Sequence, residues 1–466
     1  MDGLSLWLAF FAYNGLLIGL GVWARGRTTD VDSFFIAKRE LGPLTAGLSY
    51  AASASSAWVL LGLSGYAFAN GLDAIWILPG VWAGYAVAWL ALGKRLREEA
   101  ETRGHLSLVD FLVADAPRRH ARWLAALAGV LIVISLTAYV ATQLDGAGKT
   151  FERFLDLPYG LAVGLGAGVV LIYTVLGGFW AASVSDAVQG LIILLVTLVL
   201  PIAAVLAAGG TGSLIAELQA NTPEGFLVPD GGFAGLSAIG FASGLFGTGP
   251  GALGQPHVAN RIMALRSEAE RKTGFWVAFG WVVVVYSLMV LAGLSARALI
   301  PTHPESETAL LALTAAVLPS AFAGLALAAV LSAIMSTADS LLLASANAVE
   351  RDLGLGRLWR GAELTMARAS MVLVTLIATL ATLFSPDAIF ARALFAWGAI
   401  GAAFGPVVIA RVLDWRCPPW SVGAAMASGF GLTVVLHFQP DTPGDLAERL
   451  AGWLPAFAFL LAGRRR

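Results

Sequence analysis

Apolar runs of about 20 residues recur along this chain, each long enough as a helix to cross a bilayer core of about 30 Å. In hydrocarbon a backbone must satisfy its own N–H and C=O groups, so runs of this length read as membrane-spanning helices. Thirteen candidate spans follow, at 4–25, 44–70, 73–93, 122–144, 157–177, 183–207, 234–254, 274–298, 308–345, 364–384, 387–411, 418–437 and 445–463. Charged residues make up only 13% of the sequence and fall mostly between the runs. The fold expected is all-α and polytopic.

Basic residues orient such a bundle, because loops rich in Lys and Arg stay on the cytoplasmic side. With the N-terminus outside, only Lys149, Arg153, Arg297, Arg392 and Arg449 of the 29 Lys and Arg residues fall outside; the rest, including Arg261 and Arg271, lie in inner loops or beside them. An odd number of spans then places the C-terminus in the cytoplasm, as expected of a multi-pass protein of the plasma (inner) membrane. Asp2 precedes the first run, basic residues follow it, and no small-residue cleavage pattern ends it, unlike a secretory signal. Trp123, Trp359, Trp415, Trp420 and Trp453 sit near predicted helix ends, where interfacial anchors belong. A net charge of −1 offers no basic surface for nucleic acid, and the single cysteine, Cys417, excludes an intrachain disulfide.

Two spans are interrupted. The second carries Ser53-Ala-Ser55-Ser56, and serine hydroxyls compete for backbone hydrogen bonds and weaken a continuous helix. The seventh carries Gly244, Gly247, Gly249, Pro250, Gly251, Gly254 and Pro256, which cannot support an unbroken helix. The two breaks lie five spans apart, the spacing of two five-helix units of opposite orientation, 44–207 and 234–411. The segments 1–43 and 412–466 are then peripheral. Breaks at corresponding positions of two halves point to a transporter's binding site, although small residues also permit close helix packing.

The ninth span places Ser332, Ser336, Thr337, Asp339, Ser340 and Ser345 in an apolar helix. At about 100° per residue, the first five share about half of its circumference. A carboxylate at mid-membrane costs about 2.5–3.5 kcal/mol, so Asp339 should face a cavity or a partner. Clustered oxygens suit a hard cation such as sodium; the alternative is that the hydroxyls bond to their own helix. The five histidines, His105, His120, His257, His303 and His437, fall in loops or at helix ends. No metal-ligand spacing or nucleophile–base motif falls within a span, so an enzyme is not indicated.

These residues resemble the sodium:solute symporter family, and within it the bacterial sodium/proline symporters. The matching motifs are Arg39-Glu-Leu-Gly-Pro43, Ser56-Ala-Trp58, Tyr173-Thr-Val-Leu-Gly-Gly-Phe179 with Ser185-Asp186, Gly254-Gln-Pro-His257, Ala333-Ile-Met-Ser336-Thr337 and Phe395-Ala-Trp397 through Phe404-Gly-Pro406. The resemblance implies a coupling sodium ion held by Ala52, Ser55, Ala333, Ser336 and Thr337. It also implies a second ion position, or ion path, at Asp186, Ser336, Asp339 and Ser340. Substrate-side positions carried over in the same way are Ser56, Trp58, Tyr139, Thr248 and Ala252, with Gln143 one turn from Tyr139. Asp186 reads alternatively as the partner of a cytoplasmic basic residue, and Trp58 and Tyr139 as packing aromatics.

The chain departs from that pattern twice. Proline symporters carry an aspartate where this sequence has Ala54, which removes a charge favouring the cation; Asp145, near the outer end of the fourth span, reads first as an acid at an exposed helix end and alternatively as one that compensates. Thr248 and Ala252 replace aromatics, so the pocket should be roomier or more polar there. The function expected is sodium-driven import of a small polar solute such as proline or another amino acid. The alternatives are proton coupling and a solute sensor, although the chain ends at Arg466 without a signalling domain.

Overall fold

The computed structural model describes residues 3–28, 30–358, 363–384 and 389–464. Asp2, Trp359, Arg360, Arg465 and Arg466, used above for orientation and anchoring, lie outside the described residues. Within them the chain is helical nearly throughout, without strands and with one isolated bridge, Leu41 to Leu265.

The helices that position the site are α1 (Gly3–Arg25), α2 (Pro43–Ala57), α3 (Arg118–Leu155), α4 (Tyr159–Ala207), α5 (Leu236–Phe246), α6 (Pro256–Met263), α7 (Glu268–Leu299), α8 (Ser320–Asn347) and α9 (Ile389–Val412). Among the described residues, nine helical stretches are long and apolar enough to cross a membrane. Two of these double back. Pro43–Arg103 turns at Gly71, whose φ is 75°, so that Tyr50 packs on Tyr85 and Trp89 with ring centroids 5.0 and 5.2 Å away. Within α4, Gly178 has a φ of 57°. Before it the Tyr173 hydroxyl reaches the Met335 carbonyl of α8, and after it Val196 packs on Ala326 and Ala329, further back along the same helix. A side chain at Gly178 would strike Phe34, which is why glycine holds the reversal.

Helix starts follow local chemistry. Asp30 and Ser33 form a reciprocal capping box, and the Ser107 and Ser267 hydroxyls accept the Asp110 and Glu270 N–H groups. The run read as one span over 308–345 is two helices, Ala309–Val317 and α8, separated at Pro319. The segment 208–233 contains the helix Thr211–Asn221. Trp453 is not an interfacial anchor: it is buried against Gly405, whereas Trp123 and Trp420 are exposed.

Position in the bundle separates α8 from its neighbours. The apolar window of Gly324–Asp352 is 94% buried, against 33% for the peripheral Pro419–His437. α8 packs on α2, α3 and α4, so the hydroxyls of the ninth span face protein rather than lipid.

Candidate ion and substrate site

Two broken helices frame the centre. In α2 the break falls at Ser56, with φ 49° and ψ −176°, followed by a widened turn over Trp58–Leu63. This is the serine-rich stretch whose hydroxyls compete for the backbone: Ser55 Oγ donates to the Ala51 carbonyl at 2.7 Å. In the seventh span, α5 ends at Phe246, a short 3₁₀ segment covers Pro250–Gly254, and α6 restarts at Pro256. Glycine is required at the close approaches here. A side chain at Gly249 would meet the Gly80 carbonyl, and one at Gly401 would meet Gly251.

The oxygens of α8 converge on the broken α2. Ser336 Oγ lies 3.2 Å from the Ala52 carbonyl and 3.3 Å from that of Ala333. Thr337 Oγ1 donates to the Ser53 carbonyl at 2.9 Å and to Ala333 at 3.1 Å. All of these residues are buried. The set consists of neutral hard oxygens alone, which fits a sodium ion. Ser55 differs from the other four: its hydroxyl is turned back into its own helix, and its carbonyl accepts the Trp58 N–H. The Ser53 carbonyl is a member of the cluster that sequence reading missed, because any residue supplies a carbonyl and only the break shows which one is directed inward.

One turn further along α8 lies a second, charged cluster. Asp186 Oδ2 accepts from Ser49 Oγ at 2.6 Å, Ser53 Oγ at 2.9 Å and Arg261 Nη2 at 2.9 Å. Arg261 also donates to Ser49 Oγ at 3.0 Å and to Ser340 Oγ. Ser340 Oγ lies 3.1 Å from Ser53 Oγ and 2.9 Å from Asp339 Oδ1, while Tyr173 donates to Asp339 Oδ2 at 3.1 Å. The expectation for Arg261 is therefore corrected. It is no inner-loop residue but is 1% exposed in the protein centre, where its guanidinium meets the oxygens proposed for a second ion. Its sequence signal is its place one helical turn after His257, inside the interrupted span rather than beyond it.

The candidate substrate-side residues lie at and beyond the break of α2. Tyr139 donates to Ser56 Oγ at 3.2 Å, and Gln143 Oε1 caps the Ala57 N–H at 2.9 Å, a donor freed by the break. Trp58, Thr248 and Ala252 line, with Trp397 and Tyr286, a cavity of about 10 Å³, no roomier than one water. Above it Phe390 stacks on Tyr66 at 4.9 Å and meets Trp58 edge-on at 6.3 Å. Asp145 is not part of the ion cluster. It pairs with Arg392 and accepts from Tyr159 at 2.7 Å, with Lys149 3.7 Å away, so it does not replace a carboxylate at Ala54.

Paired helix breaks around a buried oxygen cluster, in an all-helical bundle, define a secondary transporter. The sodium:solute symporter family model matches residues 34–428, and the chain belongs to that family. It is 30% identical over 442 residues to the high-affinity proline transporter PutP of Bacillus subtilis, covering 93% of this chain and 92% of that protein. It is 29% identical to the sodium/proline symporter of Escherichia coli K12, covering 92% and 86%. In fold it is similar to a Na+-coupled sialic acid symporter, with a TM-score of 0.81 at 16% identity over 98% of both chains. The protein is a multi-pass, sodium-coupled plasma-membrane symporter and not an enzyme.

Proposed function

We propose that this symporter imports proline or a closely related small amino acid, with sodium held by Ala52, Ser55, Ala333, Ser336 and Thr337. The observation that carries the ion site is the meeting of the Ser336 and Thr337 hydroxyls with carbonyls at the break of α2. An ion among these oxygens ties α8 to α2 and so orders the backbone that bears Ser56 and Trp58. Solute at Ser56, Trp58, Tyr139, Gln143, Thr248 and Ala252 then completes the site, and the two halves, 44–207 and 234–411, rock about it. Asp186, Asp339 and Ser340 form the path beneath. The N-terminus faces outward and the C-terminus the cytoplasm. The proline transporters named above, similar along nearly their whole lengths, support the solute class.

The driving force suffices. One charge crossing about 100 mV supplies about 2.3 kcal/mol, and a tenfold sodium gradient adds about 1.4 kcal/mol. Together they allow accumulation of several hundredfold at one ion per solute. Uptake of radiolabelled proline and other amino acids into proteoliposomes, under separate sodium, lithium and proton gradients, tests the proposal. Sodium-driven accumulation of proline is expected, and accumulation of no amino acid under any gradient would overturn it.

A further inference from the structure

His257 is the first residue after Pro256 in α6, directly beyond the break of the seventh span. Its imidazole is fully buried, and neither ring nitrogen has a hydrogen-bond partner among the described residues. It stands between two aromatic rings, edge-on to Tyr139 at 6.4 Å and to Trp397 at 6.1 Å. Tyr139 belongs to the Ser56 side of the site, and Trp397 lines the central cavity with Trp58, Thr248 and Ala252. The ring thus lies just behind the cavity lining, packed between the two sides of the site.

The side-chain donors of its neighbours are already engaged, while Gln255 Oε1 is itself without a partner among the described residues. The Tyr139 hydroxyl donates to Ser56, Trp397 Nε1 to the Thr248 carbonyl at 3.1 Å, and Gln255 Nε2 to the Trp397 carbonyl at 2.8 Å. The Arg261 guanidinium bonds the His257 carbonyl, not its ring. Leaving a buried polar group unmatched costs about 1–3 kcal/mol, a cost that a purely packing role would avoid with phenylalanine. An imidazole offers at least one N–H donor in either tautomer, and a second when protonated. The Ala57 and Trp58 N–H groups at the break are not free for an amino acid's carboxylate, since Gln143 and Ser56 cap them.

We propose that His257 is a substrate-contacting residue whose ring N–H donates to the carboxylate of the transported amino acid. This rests on the amino-acid reading of the site given above. The test compares wild type with His257→Phe, which keeps the ring volume but removes both nitrogens, and His257→Asn, which retains a donor. Thermal shift of the purified protein in sodium is measured against a panel of amino acids and against prolinamide, which lacks the carboxylate. For the acid that stabilises wild type, His257→Phe is expected to weaken binding by about tenfold, with His257→Asn intermediate. Wild type should prefer that acid to its amide, and His257→Phe should largely lose this preference. Half-activation by sodium should stay unchanged, which also shows that the variants are folded. Equal affinity and equal acid-over-amide preference in wild type and His257→Phe would overturn the proposal while leaving the function intact. If no amino acid shifts wild type, the functional reading fails and the proposal with it.

Discussion

The two oxygen clusters on α8 lie one helical turn apart and are filled by opposite logic. Around Ser336 and Thr337 every partner among the described residues is a hydroxyl or a backbone carbonyl, and none of those is a carboxylate or a fixed cation. Around Ser340 two buried carboxylates, Asp186 and Asp339, face a guanidinium supplied by the chain itself. There the tethered cation pairs with one of the two acids, Asp186, as an internal ion pair. Where neutral oxygens converge without one, a mobile cation has something to complete. The more acidic cluster thus holds Arg261, and the uncharged one is the cluster we propose for sodium.

The largest effect should come from breaking the charged cluster. Arg261→Ala strands Asp186 with only hydroxyl partners in the core, and removal of one member of a buried pair costs about 3–5 kcal/mol. A fall in melting temperature and in folded yield is expected. Arg261→Ala combined with Asp186→Asn should recover much of that loss, and a double variant as unstable as the single one would show that Arg261 acts by packing alone.

Thr337→Ala probes the neutral cluster and should separate from the first result. It removes one hydroxyl bonded across to α2, so the sodium concentration for half-maximal uptake is expected to rise about tenfold, with little change in melting temperature. An unchanged sodium dependence in both Thr337→Ala and Ser336→Ala would remove the proposed ion site and erase the contrast between the clusters.

The smallest effect is expected at Asp145. Because its carboxylate is committed to Arg392, Lys149 and Tyr159, Asp145→Asn should alter the sodium requirement by less than about twofold, as for sites that share no partner. A large loss of sodium affinity would instead make Asp145 the stand-in for the carboxylate absent at Ala54.

Much of this arrangement is legible in the sequence. Run length gives the helices, glycine and proline give the break near 250, and the spacing of Ser336 and Thr337 on an apolar helix gives half of the ion cluster. The misplacement of Arg261 has a local cause: it was judged by its place beyond the end of a hydrophobic run, but a broken span folds its second half into the protein centre. Polar residues there are buried while looking terminal. Ser49 escaped notice because its partner, Asp186, lies 137 residues away.

The sequence alone thus determined that the chain is an all-helical membrane protein interrupted at two matching places, since periodicity, length and helix-breaking residues act locally. Only the tertiary structure decided which oxygens meet. The Ser53 carbonyl, the Arg261 guanidinium and the unpaired His257 ring acquire their roles from helices that approach across the bundle, and the free energy of a buried polar group depends on partners that no local pattern encodes.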